Sequence, residues 1–178
     1  MTCIVALEHN GNVYVGGDSA AVAGWDVQSI THPKVFRVGD FIIGYTTSFR
    51  MGQLLEYNLT VPDNPDGDDL RYLITQFIPA VRECLKQGGF AKVENNTEEG
   101  GEFIVGYRGR IYLVGSDFQI THHRDRFLST GCGESFAMGA LAAMEITDPK
   151  KAVLKALKIA GMFSAGVRPP YYVIEGKA

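Results

Sequence analysis

Met1-Thr2-Cys3-Ile4-Val5-Ala6-Leu7-Glu8-His9-Asn10-Gly11-Asn12-Val13-Tyr14-Val15-Gly16-Gly17-Asp18-Ser19 opens the chain and decides how the rest is read. Cys3 to Glu8 is short, apolar and partly β-branched, which predicts a strand. His9-Asn10-Gly11-Asn12 supplies hairpin chemistry, because Asn-Gly tolerates the positive φ of a tight turn. Val13 to Gly16 returns as the partner strand and delivers Asp18 at its end. Ser19 to Thr31 is a glycine- and alanine-containing excursion around Trp25. His32-Pro33 then biases the backbone toward extended structure, and Lys34 to Val38 predicts another strand. Gly39-Asp40 turns it into Phe41 to Thr46. The opening third is antiparallel β, with Asp18 and Lys34 both at strand ends.

The hydrophobic period changes after Thr46. Phe49, Leu54, Leu55 and Leu59 recur at helical spacing within 48–59, and Ser48 is placed to cap that start. Val61 to Gly67 carries two prolines and a glycine and predicts a loop. Asp68 or Asp69 caps a longer helix to about Lys86, with Leu70, Leu73, Ile74, Phe77, Ile78, Val81 and Leu85 on one face. Pro79 inside that pattern predicts a kink or break. Gln87-Gly88-Gly89 ends the helix, and Phe90 to Gly101 is polar and glycine-flanked, a mobile loop by this reading. Strands resume at 102–107, 110–115, 118–121 and 127–128. An alanine-rich helix follows over 131–145, then a second from Asp148 as cap and Pro149 at the first helical position to about Ala160. Tyr171 to Ile174 closes the chain as a strand.

Strands, two helices, strands, two helices and a strand favour two antiparallel sheets packed face to face, each covered outside by a helical pair. The expectation is one layered α+β domain over 1–178. Hydrophobic content of 46% and charged content of 21% suit a globular protein. The net charge of −3 gives no electrostatic reason to expect nucleic acid or an anionic membrane as partner. Three cysteines (Cys3, Cys84 and Cys132) lack metal-like spacing and suit a reducing compartment. With no secretory pattern at the start and no run of about 20 apolar residues, a cytoplasmic location is expected.

The chemistry also lies at the start. Asp18 follows Thr2 by sixteen positions, and Lys34 follows Asp18 by the same interval. Once Met1 is removed, Thr2 carries a hydroxyl and a free α-amine on one residue. That amine has a reference pKa of about 7.7–8.0, so near neutrality part of it is free to accept the hydroxyl proton. A neighbouring Lys34 lowers the amine pKa further, and Asp18 keeps Lys34 charged and positioned. Alone, each has a plainer use: Thr2 as a strand former, Asp18 as a turn residue, Lys34 as a solvated lysine. Together they form a nucleophile with its own base.

Thr2-Cys3-Ile4-Val5-Ala6, Gly17-Asp18-Ser19 and Lys34-Val35-Phe36-Arg37 resemble the start of the proteasome β-subunit and HslV-like family of N-terminal nucleophile hydrolases. The resemblance implies a four-layer αββα sandwich and a threonine-type hydrolase cutting peptide or amide bonds, with Thr2, Asp18 and Lys34 as its catalytic set. It also implies a closed homo-oligomeric ring acting on peptides or unfolded protein, fed by a separate ATPase unfoldase, with no metal or organic cofactor. Gly131-Cys132-Gly133 resembles the family's glycine-serine-glycine turn and puts Cys132 where a serine aids proton movement. Gly44-Tyr45-Thr46-Thr47-Ser48 matches the segment whose backbone amide binds the oxyanion, with Thr47 where glycine is usual. Met162 and Ala165 align with an aspartate and a serine of many members, Ser164 being one position away. These departures keep an alternative open: a non-catalytic proteasome-like subunit serving assembly or binding. A chain retaining Met1 would have no free threonine amine.

Other motifs favour plainer readings. His122-His123 suggests a metal pair, but adjacent strand residues point to opposite faces, so solvated strand histidines are expected. Cys3 reads as a small buried strand residue. Tyr14, Tyr171 and Tyr172 read as packing or interface residues.

Overall fold

The computed structural model describes residues 1–64, 67–94 and 97–177. The fold is mixed α and β, with antiparallel sheets and helices. One four-stranded sheet has the order β12–β1–β2–β13, formed by Phe127–Gly131, Cys3–His9, Asn12–Gly17 and Tyr172–Gly176. The other has five strands in the order β11–β10–β9–β6–β5, formed by Ile120–Thr121, Arg110–Val114, Phe103–Tyr107, Phe41–Tyr45 and Val35–Val38. Helices α1 (Phe49–Tyr57), α2 (Asp69–Tyr72) and α3 (Ile78–Gln87) lie between β6 and β9 in sequence, and α4 (Glu134–Ala142) and α5 (Pro149–Phe163) between β12 and β13.

Side-chain alternation explains how these elements pack. On β1, Ile4 and Ala6 join Val13 and Val15 of β2 in a cluster with Val35, Ile42, Ile104 and Ile111 of the five-stranded sheet. Cys3, Val5 and Leu7, one position out of phase, join Val153, Ala156 and Leu157 of α5. Strand β6 makes the same division, since Ile42 belongs to the inter-sheet cluster while Ile43 packs with Met51, Leu55 and Phe77. Strands buried on both faces read as continuous apolar runs. Each fully buried leucine, isoleucine or phenylalanine contributes about 1.5–3 kcal/mol. The sheets meet closely at Gly44, where a Cβ would lie 2.5 Å from Ile4 Cγ2.

Several boundaries differ from the sequence expectation. Pro79 does not break its helix. A π-helical segment over Leu73–Phe77 precedes it, and the ladder continues through α3. Proline crowds the carbonyl four residues back, here Thr75, and a wider turn at that carbonyl accommodates the ring. Part of the 19–31 excursion is a hairpin, β3 (Ala20–Ala23) with β4 (Asp26–Ser29), leaving Trp25 fully exposed at its tip. The expected mobile loop of 90–101 contains another hairpin, β7 (Lys92–Glu94) with β8 (Thr97–Glu99); Asn95 and Asn96 of that stretch, like Pro65 and Asp66 of the 61–67 loop, lie outside the described residues. Helix α4 starts at Glu134, because Gly131 has φ +96 and belongs to the preceding strand. His122 and His123 follow β11 instead of extending it.

Candidate active site

Three backbone devices bring Thr2, Asp18 and Lys34 together. Strand β1 begins at Cys3, so Thr2 stands at its leading end. The β1–β2 hairpin pairs Ile4 with Gly17, which returns Asp18 to the same end of the sheet. The other sheet contributes Lys34, immediately before β5, through the packing of Val35 on Ile4. Lys34 Nζ donates to Thr2 Oγ at 2.8 Å and to Asp18 Oδ1 at 3.0 Å. All three residues are buried, with exposures of 5% for Thr2, 0% for Asp18 and 1% for Lys34.

An ion pair taken fully out of water needs compensation, since desolvation costs several kcal/mol per ion. The site provides it. Asp18 accepts from Lys34 and from the backbone N–H groups of Cys3 (3.0 Å), Ala20 (2.8 Å) and Arg168 (3.2 Å). Four donors match the roughly four lone-pair sites of a carboxylate. Lys34 has three N–H donors, and its third contact is Met1 O at 3.4 Å. Burial pulls the Lys34 ammonium below the ordinary lysine range, while the Asp18 carboxylate pushes it back up. The face of Phe49 lies 5.9 Å from Nζ.

Thr2 opens onto a cavity of about 320 Å³ lined by Ala20, Val22, Thr47, Phe49 and Arg50 as well as Met1. Its hydroxyl donates to Met1 O at 2.6 Å, so with Met1 attached that carbonyl occupies the place beside the Thr2 hydroxyl. Thr47 sits in the left-handed region at φ +59, where a β-branched residue is a genuine outlier costing roughly 1–2 kcal/mol. Its side chain is tied down, Oγ accepting the Glu102 N–H at 3.2 Å. Threonine here holds a backbone conformation that glycine adopts more readily.

Cys132 is exposed and meets Thr2 through the carbonyl, its Sγ lying 3.3 Å from Thr2 O. Ser164 donates to Cys132 Sγ at 3.3 Å. Of Met162, Ser164 and Ala165, Ser164 is the residue whose side chain is seen to reach the cluster, because α5 ends at Phe163 and the chain turns there. The Arg168 contact was hidden from a side-chain reading, since the backbone makes it. Gly131 is required by space: a Cβ there would sit 2.3 Å from Thr2 O. Cys3 is buried, and burial pushes its thiol up to about 12, which disfavours it as nucleophile. Among the described residues no group of three or more His, Cys, Asp or Glu is placed to hold a metal ion, and no helix is long and apolar enough to cross a membrane.

A threonine at the leading end of a central strand, with a buried lysine–aspartate pair behind it, is set within the fold of the proteasome-like peptidases. No family model matches the chain. Thiobacillus denitrificans BPH, solved in complex with epoxomicin, superposes with a TM-score of 0.82 at 17% identity, over 98% of this chain and 98% of that one. HslV from Trypanosoma brucei gives a TM-score of 0.72 at 18% identity, covering 99% of both chains. The Gly-1 mutant of Anbu from Hyphomicrobium sp. strain MC1 gives 0.71 at 16%, over 99% of this chain and 82% of that one. At these identities the likeness is one of fold.

Proposed function

We propose that this chain is a threonine-type N-terminal nucleophile hydrolase that cleaves peptide bonds. The observation carrying this reading is the 2.8 Å contact between Lys34 Nζ and Thr2 Oγ inside a buried ion pair. After removal of Met1, the Thr2 α-amine takes the hydroxyl proton as Oγ attacks the substrate carbonyl. The same proton passes to the departing amine, leaving an ester on Thr2 that water hydrolyses. Lys34 keeps the amine pKa low and favours the alkoxide, Asp18 fixes Lys34, and the Thr47 backbone amide stabilises the oxyanion. Cys132 and Ser164 position Thr2 through its carbonyl.

The three apolar clusters support a four-layer αββα order, with α4 and α5 outside one sheet and α1 to α3 outside the other. In this reading copies of the chain close into a ring with Thr2 facing inward, acting on peptides or unfolded segments supplied by a separate ATPase. Fluorogenic peptide hydrolysis by the Met1-free protein tests the activity. Thr2→Ala is expected to lower turnover at least a thousandfold, and equal rates for the two proteins overturn the reading.

A further inference from the structure

At the other end of β1 the molecule gathers positive charge that the net value of −3 conceals. Two neighbouring turns, Asn10-Gly11 and Arg108-Gly109, all four residues left-handed, border a groove of about 430 Å³. Arg108, Arg110, Arg124 and Arg126 line it. Glu8 is the one carboxylate among the described lining residues, and it is already engaged. Its Oε1 accepts the Ile111 N–H at 2.8 Å and lies 3.3 Å from His122 Nε2. Arg108 is oriented by Asp69 at 3.1 Å and by the Tyr107 ring at 5.1 Å. Arg110, Arg124 and Arg126 are exposed and have no carboxylate within 4.0 Å among the described residues.

A second observation points to the same place. His123 also lines the groove, and its Nε2 is shielded from water with no hydrogen-bond partner. A buried polar nitrogen left unpaired is unfavourable, and a turn of the ring toward the groove would let a ligand oxygen pair with it. Guanidinium groups present planar forks that match phosphate oxygens two at a time. Three of them, Arg110, Arg124 and Arg126, carry no carboxylate partner among the described residues, so an anion entering the groove would meet uncompensated charge. The volume is that of a small-ligand pocket, within the usual range of about 300–1,000 Å³.

We propose that this groove binds a compact multivalent phosphate anion, the di- or triphosphate of an inorganic chain or of a nucleotide, independently of Thr2 chemistry. The test is isothermal titration of the full chain with sodium tripolyphosphate, ATP and adenosine at low salt. Saturable tripolyphosphate binding is expected, weakened several-fold between about 50 and 200 mM salt. The Arg124→Ala/Arg126→Ala pair should weaken it at least tenfold, as should Arg110→Ala combined with His123→Asn. Lys155→Ala on α5 should leave it unchanged. ATP equal to tripolyphosphate assigns recognition to the phosphate chain; tighter ATP with competition by adenosine assigns it to a nucleotide. No binding at 10 mM by the wild-type protein overturns the proposal. So does unchanged affinity in both multiple variants with unliganded melting temperatures intact, or tighter binding of a duplex oligonucleotide than of tripolyphosphate.

Discussion

Asp18→Asn probes the buried pair most directly, because it removes a charge while keeping the shape. Oδ1 receives Lys34 Nζ and the Cys3 N–H, and Oδ2 receives the amides of Ala20 and Arg168. Whichever way the asparagine amide turns, its NH₂ meets donors. Lys34, itself buried, also loses its counter-ion. Removing one partner of a buried pair costs about 3–5 kcal/mol. For a chain of this size a kcal/mol moves the melting temperature by about 2–4 °C, so the expected fall is roughly 6–20 °C. Lys34→Met in the Asp18→Asn background removes the orphaned charge, and the double variant should recover about 1–3 kcal/mol relative to the summed single losses. Calorimetry of the four proteins is the assay. An Asp18→Asn loss under about 2 °C, or strict additivity in the double variant, would refute the reasoning.

Gly131→Ala should abolish peptide hydrolysis, because its Cβ would fall 2.3 Å from Thr2 O at a φ of +96. Gly139→Ala, in the exposed middle of α4 with nothing within 4 Å, should instead leave activity intact and raise stability by about 0.5–1 kcal/mol. Thiol titration of the native protein should label Cys132 quickly and spare buried Cys3 and Cys84 until unfolding; fast modification of all three would contradict their placement. Alkaline stability follows from the thiol of Cys3, raised from 9.0 to about 12 by burial. The unfolded thiol loses its proton first, so this contribution is full below pH 9 and fades between 9 and 12, at up to about 1.4 kcal/mol per pH unit. Tyr45 and Tyr72, also held at about 12 by burial, add to the fall above pH 10, whereas Lys34, shifted down, opposes it. Above pH 10.5, the ordinary lysine value, Lys34 no longer offsets the fall, so melting temperatures constant from about pH 10.5 to 11.5 would contradict these environments.

The opening hairpin was legible because Asn10-Gly11 fixes both turn and register, and register alone carries Asp18 back to Thr2. The amphipathic pattern of 70–85 was equally plain, and Pro79 signalled an irregularity without saying that a π turn would absorb it. The β3–β4 hairpin was not legible, since Ala20-Ala21-Val22-Ala23 has no polar alternation and its partner strand is exposed throughout. The spacing of Thr2, Asp18 and Lys34 marked three side chains that the structure brings within hydrogen-bond reach, while two further contacts at the cluster carried no such mark. Arg168 contributes only an amide, and Ser164 reaches the cluster through the turn after α5. Nor did the composition reveal the basic groove, whose arginines come from separate turns and whose charge vanishes in the net sum.

Intact-mass analysis of the chain after a peptide epoxyketone, followed by peptide mapping, measures the nucleophile itself. The account predicts one adduct per Met1-free chain, located on Thr2, and none on Thr2→Ala or on chains retaining Met1. An adduct of the same yield on either of those forms, or an unreacted Met1-free chain, would contradict it.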